Sequence, residues 1–373
     1  MRVLQFAKRS VVTVAVVSMS LVGCGGESTP DAPFNPTGTT ADLQTIDATF
    51  ASPTFASFST FSLMFDGALG GAPIIAASTA ALDIQGKTPQ GIRAAAVRTA
   101  QRLASTLRPS AGMSASSSAH SGPAMAAVPA EVAGKTFEYD VATGSYAAGA
   151  RTGAPSNGVR FILYAVDPVS YMPVEPLTET GYVDLTDLSA GSTQAARVVV
   201  VSGGITYINY IVSASSTSTS GRVSVIGMVT DGAIQATVNL LSTITYTGGL
   251  TLSYSLDVPQ RDVSIDLTIS ASNISEPSGT IVINLVMRGP NGTVTMTGEF
   301  TETTGTVNVR VNGSAFARVT TDGVTTIITR TDGTPLLDEE YTALQGVFEI
   351  QASAFIAFDQ MLAPVGAFFS EPQ

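Results

Sequence analysis

Few side chains in this chain could act as nucleophiles, bases or metal ligands. Among 373 residues there is one cysteine, Cys24, and one histidine, His120. A catalytic triad places a histidine base beside its nucleophile, and most structural zinc sites use several cysteine or histidine ligands. His120 lies in a stretch rich in serine and alanine, without a second histidine to share a metal. The sequence therefore predicts neither a triad nor a histidine-based metal site.

Paired carboxylates are the remaining means of acid–base catalysis. Asp262 and Asp266 fall on the same face of a predicted strand, but four extended residues would separate them by about 13 Å. Glycosidase carboxylates stand roughly 5 to 9.5 Å apart. Asp257 and Asp262 could come closer across neighbouring strands, although aspartates on a polar sheet face are usually solvated. We therefore expect a protein that is not an enzyme and that carries neither a cofactor nor a metal.

The position of Cys24 indicates export rather than catalysis. The chain begins with Arg2, Lys8 and Arg9 and continues with the apolar residues 11–23. A basic start, a short apolar segment and small residues at its end are typical of a signal peptide, whereas a membrane-spanning helix needs about 20 apolar residues. The pattern predicts a signal peptide over residues 1–23 that is removed after export.

Leu21, Val22, Gly23 and Cys24 resemble the lipobox of bacterial lipoproteins. In that family the cysteine thiol receives a lipid group, and the cysteine becomes the acylated N-terminus after cleavage. The resemblance implies that acyl chains such as palmitate, attached at Cys24, hold the protein on a lipid bilayer. It also implies the outer membrane, because Gly25 is not the aspartate that retains lipoproteins in the inner membrane. The alternative, an ordinary signal peptide, would leave an exposed free thiol.

The charge of the processed chain bears on its partners. Removal of the three basic residues of the signal peptide leaves 18 − 3 = 15 basic against 29 acidic residues, a formal charge of 15 − 29 = −14. Such a surface repels nucleic acid and anionic headgroups, so no nucleic-acid partner is expected. Because the only cysteine lies at the anchor, stability must come from an apolar core rather than from disulfides.

Composition divides the rest of the chain into five parts. Serine, glycine, proline and threonine are frequent in the first and third parts. Apolar residues recur at helical spacing in the second and fifth parts, and apolar and polar residues alternate with a period of two in the fourth. The parts are a flexible tether at 24–40, a helical segment at 41–108, a low-complexity linker at 109–133, an antiparallel β-sheet domain at 134–333, and a C-terminal helix at 334–373.

The β-sheet domain is predicted from alternation and from turn residues. Ile265 and Leu267 alternate with small polar residues, as expected for a sheet that is apolar on one side. Asn-Gly pairs such as Asn312–Gly313 mark hairpin turns between successive runs. Counting such runs predicts about twelve to fourteen strands, too many for a flat open sheet. We therefore expect a large curved antiparallel meander, either a half-barrel or a barrel.

The phenylalanines are concentrated in the two helical segments, whereas valine, isoleucine and leucine supply the sheet. Ser52 and Pro53 predict a helix start in the first segment, Asp338 predicts one in the last, and Pro364 predicts its end. The expected fold is α+β, with N- and C-terminal helices packed on the apolar side of the sheet. The predicted apolar binding residues are Phe55, Phe58, Phe65, Phe348, Phe355, Ile265, Leu267, Ile283 and Leu285.

In architecture, though without a shared motif, this arrangement resembles bacterial carriers of lipoproteins and glycolipids, in which a curved antiparallel sheet wraps helices around an apolar cavity. The resemblance implies a non-enzymatic binding or carrier module of the cell envelope, with an apolar ligand or an envelope protein as partner. One alternative is a structural envelope lipoprotein without a small-molecule ligand. Another is a membrane-embedded β-barrel, against which the short strands and the phenylalanine-rich helices argue.

Overall fold

The computed structural model describes residues 34–55, 57, 58, 61, 126–167, 172–272, 279–301, 304–322 and 325–369. All of them belong to one compact unit, Ala32–Gln373. The predicted signal peptide, the lipobox with Cys24, and Phe65 and His120 lie outside the described residues, as does most of the predicted linker.

Fifteen strands form a single sheet. They are β1 Thr136–Asp140, β2 Ser145–Ala148, β3 Gly158–Tyr164, β4 Glu179–Asp187, β5 Gln194–Ser202, β6 Ile205–Ser216, β7 Ser220–Thr230, β8 Gln235–Thr245, β9 Leu250–Val258, β10 Val263–Ser272, β11 Thr280–Gly289, β12 Gly292–Phe300, β13 Gly305–Val311, β14 Ser314–Thr321 and β15 Thr326–Arg330. The order across the sheet is β15 back to β3 in reverse chain order, followed by β1 and β2.

The sheet is open and mixed rather than closed and purely antiparallel. Its two outermost strands, β15 and β2, each pair on one side within the described sheet, so the closed form of the predicted meander is wrong. β1 pairs with β3 in parallel, and the other neighbours are antiparallel. The strand number also exceeds the prediction, because four- and five-residue strands such as β2 and β15 carry too little alternation to be recognised.

Hairpin turns connect most strands, as the glycine-containing pairs predict. Asn312 and Gly313 link β13 to β14 with φ of 49° and 78°. Gly203 and Gly204 link β5 to β6 with φ of 56° and 81°. Positive φ at both central residues belongs to the type I′ turn, whose twist matches that of the flanking strands. The Asn312–Gly313 turn is therefore confirmed.

The inner face of the sheet is defined as the side that carries the buried side chains. In β10, Ile265 and Leu267 are buried, whereas Asp266 and Thr268, which each follow one of them, are exposed. In β11, Asn284 is likewise exposed and lies directly across from Thr268 on the opposite, outer face. The predicted division of these strands into an apolar and a polar side is confirmed.

Helix α1 spans Pro36–Phe50 and begins inside the predicted tether, five residues before the predicted boundary at 41. The Asn35 side chain caps it by accepting a hydrogen bond from the Gly38 N–H at 3.0 Å, and proline is favoured at the first helical position. The next helical residues follow at Pro53, where the Ser52 hydroxyl accepts from the Phe55 N–H at 3.4 Å. The predicted helix start at Ser52 and Pro53 is therefore confirmed.

Helix α2 spans Asp338–Phe369. The Glu340 carboxylate accepts a hydrogen bond from the Leu337 N–H at 2.9 Å, one half of a capping box. The predicted end at Pro364 is wrong, because α2 continues past it. A proline removes one backbone hydrogen bond and bends a helix, and a long helix can continue beyond that point. Within the described residues, neither helix combines the length and hydropathy needed to cross a membrane.

The end of the predicted linker contributes to the core. Ala127 and Val128 are 0% and 4% exposed and belong to the main hydrophobic cluster. The chain then turns, with the Gly134 N–H bonded to the Gly158 carbonyl of β3 at 2.7 Å. The prediction of an unstructured segment is therefore wrong for residues 126–133, because apolar side chains there replace the serine-rich composition of the preceding stretch.

Candidate binding face

The predicted binding residues that the structure describes lie together in one packed core. None of their side chains is more than 5% exposed, and all belong to the same hydrophobic cluster. They are Phe55, Phe58, Ile265, Leu267, Ile283, Leu285 and Phe348. Phe355 belongs to α2, but its side chain lies outside the described part of the chain, as does Phe65.

Strand register aligns the inner face into rows that run across the sheet. One row crosses nine strands, from β6 to β14, through directly paired residues. Its members are Val212, Val225, Leu240, Tyr254, Leu267, Leu285, Met296, Val309 and Ala317. All nine are buried, so the apolar surface is continuous apart from the tyrosine hydroxyl.

Aromatic rings from the helical residues contact this face. The rings of Phe58 and Tyr210 lie 6.3 Å apart, and those of Phe358 and Tyr254 lie 5.1 Å apart in an edge-to-face arrangement. Such pairs are worth about 0.5–1.5 kcal/mol beyond the burial of their area. Helical residues thus contact the inner face at β6, through Phe58, and at β9, through Phe358 of α2.

Tyr210 shows how a buried hydroxyl is satisfied on this face. It is 1% exposed, and its hydroxyl donates to the Met361 carbonyl of α2 at 2.7 Å. Gly227 lies directly across from it on β7, and a side chain at Gly227 would collide with the Tyr210 backbone and Cβ. Burial raises the pKa of Tyr210 well above its ordinary value, so the ring stays neutral.

Five other side chains carry buried polar atoms that have no hydrogen-bond partner among the described residues. Two are the hydroxyls of Thr136 on β1 and Thr180 on β4, and three are the Tyr254 hydroxyl, the Ser242 hydroxyl and both amide atoms of Gln351. The last three residues are 4%, 1% and 1% exposed, respectively. Burial also raises the pKa of Tyr254. A buried polar group without a partner costs about 1–3 kcal/mol, so each of these groups lowers the stability of the core in which it lies.

Ser242 and Tyr254 are neighbours on the sheet, and Gln351 lies on α2. Ser242 pairs with Leu252 and Leu240 pairs with Tyr254, which makes Ser242 and Tyr254 diagonal neighbours, about 7–8 Å apart between Cα atoms. Gln351 precedes Phe358 by seven residues of α2, two turns on the same side of the helix and about 10 Å along it. Gln351 therefore lies on the same side of α2 as Phe358, whose ring contacts Tyr254.

Ionised groups are buried only at the margins of the described core, and each has a partner. Asp42 in α1 accepts from the Asn291 side chain at 2.7 Å. Glu340 accepts two hydrogen bonds from Arg330 at 2.6 and 2.7 Å. Asp42 lies in the second turn of α1, and Glu340 lies in the first turn of α2.

The carboxylates considered for acid–base chemistry occupy ordinary structural positions. Asp266 on the outer face pairs with Arg288 at 2.6 Å. Asp262 ends the short 3₁₀ turn Pro259–Arg261 in the left-handed conformation, with φ of 53°. Within the described residues, no group of three potential metal ligands occurs.

The outer face carries ion pairs and one shallow groove. Arg160 donates to both carboxylate oxygens of Asp184 at 2.7 Å, and this hydrogen bonding raises its pKa. Its guanidinium lies 3.8 Å from the centre of the Tyr182 ring. The groove, about 340 Å³ in volume, opens between Glu179, Tyr182 and the turn after β5, and none of the predicted binding residues lines it.

The sequence predictions missed Tyr254, Ser242 and Gln351. The sequence does indicate Ser242, because it is a polar residue between Leu240 and Ile244 in the series of alternate β8 residues that face inward. Gln351 likewise falls within the apolar stripe of α2. Comparison with family models, curated proteins and solved structures finds no match to the chain.

Proposed function

We propose that this chain is a lipid-anchored protein of the cell envelope that binds or carries an apolar ligand on the inner face of its sheet, without enzymatic activity. The observation that carries the proposal is the continuous apolar row through nine strands, covered by aromatic side chains of separate helical segments. A face of this extent, closed by elements that are not part of the sheet, can open to a ligand without breaking strand pairs.

Curvature of the sheet around α2 forms part of the proposal. From Glu340, bonded to Arg330 at the end of β15, to Met361, bonded to Tyr210 of β6, α2 spans 361 − 340 = 21 residues. That is about 32 Å of helix. Nine strand spacings separate β15 from β6, or about 43 Å if the sheet were flat. The difference of about 11 Å is bridged either by the reach of the Arg330, Glu340 and Tyr210 side chains or by curvature of the sheet toward the helix, and we propose the curvature found in the carriers it resembles.

The proposed anchor is the acylated Cys24 within the lipobox, and the proposed location is the outer membrane. Ten residues separate Cys24 from the helix cap at Asn35. The formal charge of −14 derived above favours a body that stands off from anionic headgroups. Labelling with a radioactive palmitate precursor tests this part alone: the wild type should incorporate label and Cys24→Ala should not.

The binding function is tested by native mass spectrometry of protein purified gently from its own membranes. We expect a retained apolar molecule, seen as an added mass that organic extraction removes. A bare protein mass under the same conditions contradicts the proposal. A Cys24→Ala variant exported with the same signal peptide provides the control, because a ligand on the inner face should remain when the anchor is absent.

A structural envelope lipoprotein without a small-molecule ligand is the second candidate. The tight packing of the predicted binding residues favours it, since none of the seven that the structure describes is more than 5% exposed. The same experiment separates the two candidates, because a structural protein should give the bare mass in every preparation.

A further inference from the structure

The shallow groove on the outer face exists because glycines lie where larger residues would fill it. The groove is lined by Glu179–Tyr182 of β4, Val201 of β5 and Gly203–Gly204 of the following turn. A side chain at Gly181 would collide with the backbone carbonyl of Val201, and the positive φ at both turn glycines disfavours other residues there. The volume of about 340 Å³ lies within the range of about 300–1,000 Å³ that small-molecule sites occupy. The groove is therefore large enough for a small ligand.

The ring of Tyr182 is held in place beside this groove. Arg160 donates to both carboxylate oxygens of Asp184 at 2.7 Å, and its guanidinium lies 3.8 Å from the centre of the Tyr182 ring. Arg160 belongs to β3, whereas Val201, which pairs directly with Tyr182, belongs to β5 on the groove side. Because the guanidinium covers the ring from the β3 side, we place the other face of the ring toward the groove.

Three uncharged hydrogen-bonding groups of the groove residues have no partner in the part of the chain that the structure describes. Two are the backbone N–H groups of Gly203 and Gly204, and both residues are exposed. The third is the hydroxyl of Thr180, a half-buried residue whose hydroxyl oxygen is covered. A hydroxyl without a partner is unfavourable, and one change of χ1 rotamer moves its oxygen. A ligand in the groove can therefore supply partners to all three groups.

The charged residues at the groove disfavour an anionic ligand. Glu179 lines the groove and accepts a hydrogen bond from Arg151 at 2.9 Å. Arg160 is likewise paired with Asp184, so both arginines already have carboxylate partners. Successive backbone N–H groups in a turn favour anions, but an anion here would lie beside the Glu179 carboxylate. Hydroxyl groups both donate and accept, so an uncharged polyhydroxyl ligand suits a carboxylate that lies beside free N–H groups.

We propose that the groove binds an uncharged saccharide, with one pyranose ring packed against the free face of Tyr182. The C–H groups of a pyranose ring form an apolar face that packs on an aromatic ring. Its hydroxyls bond to the Glu179 carboxylate, the Thr180 hydroxyl and the two glycine N–H groups. An aromatic surface with a few convergent polar groups is typical of small-molecule sites. This site is separate from the inner face, so it does not depend on the proposed apolar ligand.

The test measures the binding of four uncharged disaccharides to the full chain by saturation-transfer NMR, which detects weak ligands. The probes are maltose, cellobiose, lactose and N,N′-diacetylchitobiose. The protein is kept in a polyoxyethylene detergent, because alkyl maltosides would themselves present a disaccharide. Sorbitol is the control ligand, since it has the hydroxyls of a sugar but no ring face. We expect at least one disaccharide to bind about fivefold or more tightly than sorbitol.

Four variants locate the binding. Tyr182→Val removes the aromatic face and keeps a residue that favours strands, whereas Tyr182→Phe keeps the ring. We expect the first to weaken disaccharide binding about fivefold or more and the second to keep it within about twofold. Thr180→Val removes the hydroxyl with little change of shape and should weaken binding several-fold. Tyr246→Val is the matched control and should leave binding unchanged, because Tyr246 is an exposed tyrosine outside the groove.

Circular dichroism verifies the fold of each variant, and Thr180→Val decides the test if Tyr182→Val does not fold. Weaker binding in Tyr182→Val and Thr180→Val, with binding kept in Tyr182→Phe and Tyr246→Val, supports the proposal. It is overturned if none of the four disaccharides binds, if they bind no more tightly than sorbitol, or if Tyr182→Val and Thr180→Val bind as tightly as the wild type. Native mass spectrometry measures the apolar ligand of the inner face separately, so either function can fail without the other.

Discussion

We expect the same substitution to have different effects on stability at the two buried tyrosines of the inner face. Replacing either one with phenylalanine removes one hydroxyl and leaves the ring in place. In Tyr210→Phe the change deletes a 2.7 Å hydrogen bond to the Met361 carbonyl. In Tyr254→Phe it deletes a hydroxyl that has no partner among the described residues.

The expected magnitudes follow from those environments. Loss of a buried hydrogen bond costs about 1 kcal/mol net. The Met361 carbonyl can still accept the helical bond from Val365, which is not a proline, so it is not left orphaned. Removing the unmatched Tyr254 hydroxyl relieves a desolvation cost and should leave the ligand-free protein unchanged or about 1 kcal/mol more stable. The two variants should therefore differ by about 1–2 kcal/mol in their free energy of unfolding.

Urea unfolding of delipidated protein, followed by circular dichroism because the chain has no tryptophan, measures this difference. The dependence of the unfolding free energy on urea should be the same for both variants, so that the shift in midpoint reports stability alone. Equal destabilisation by the two substitutions would refute the reasoning, because it would mean that the Tyr254 hydroxyl has a partner comparable with that of Tyr210.

Three further predictions test the faces, the titration and the helix start. Leu267→Asp should lower the free energy of unfolding by several kcal/mol, because it buries an unpaired charge. Thr268→Asp on the outer face should leave the free energy of unfolding nearly unchanged. Equal urea midpoints for the two variants would contradict the assigned faces. Burial raises the pKa of Tyr146 and Tyr254 above that of an unfolded tyrosine. Their contribution to the free energy of unfolding is therefore complete below about pH 10 and is lost as the pH rises through the folded pKa, by about 1.4 kcal/mol per pH unit each. Unfolding midpoints that stay constant from pH 9 to 11 would contradict this. Glu340→Gln should cost about 1–3 kcal/mol by leaving Arg330 without its carboxylate partner, and unchanged thermal unfolding would show that this pair does not hold α2.

Local features of the sheet could be predicted because they depend on neighbouring residues. The alternation that buries Leu267 and exposes Thr268, and the turn at Asn312–Gly313, require only period and backbone preference. Boundaries were less predictable. The capping residue Asn35 starts α1 within a stretch whose composition is typical of a tether, and the helix passes through Pro364.

The candidate site was less predictable because it depends on contacts distant in sequence. Tyr210 and Met361, which are bonded, lie 151 residues apart. Whether a buried hydroxyl finds an acceptor depends on where α2 crosses the sheet, which no local pattern specifies. The alternation along β8 marks Ser242 as facing inward. Alternation does not distinguish Tyr210, whose hydroxyl has a partner, from Tyr254, whose hydroxyl has none in the part of the chain that the structure describes.

The nearly sequential strand order has a consequence for how the molecule is made. From β3 to β15 each new strand pairs with the one synthesised just before it, so the ladder can lengthen at its growing edge through short loop closures. Helix α2 is translated after every strand, yet its carbonyl at Met361 meets β6. Until α2 emerges, the valine and leucine rows therefore stay exposed to water where α2 will contact them, and this interval is when the nascent chain most needs a chaperone.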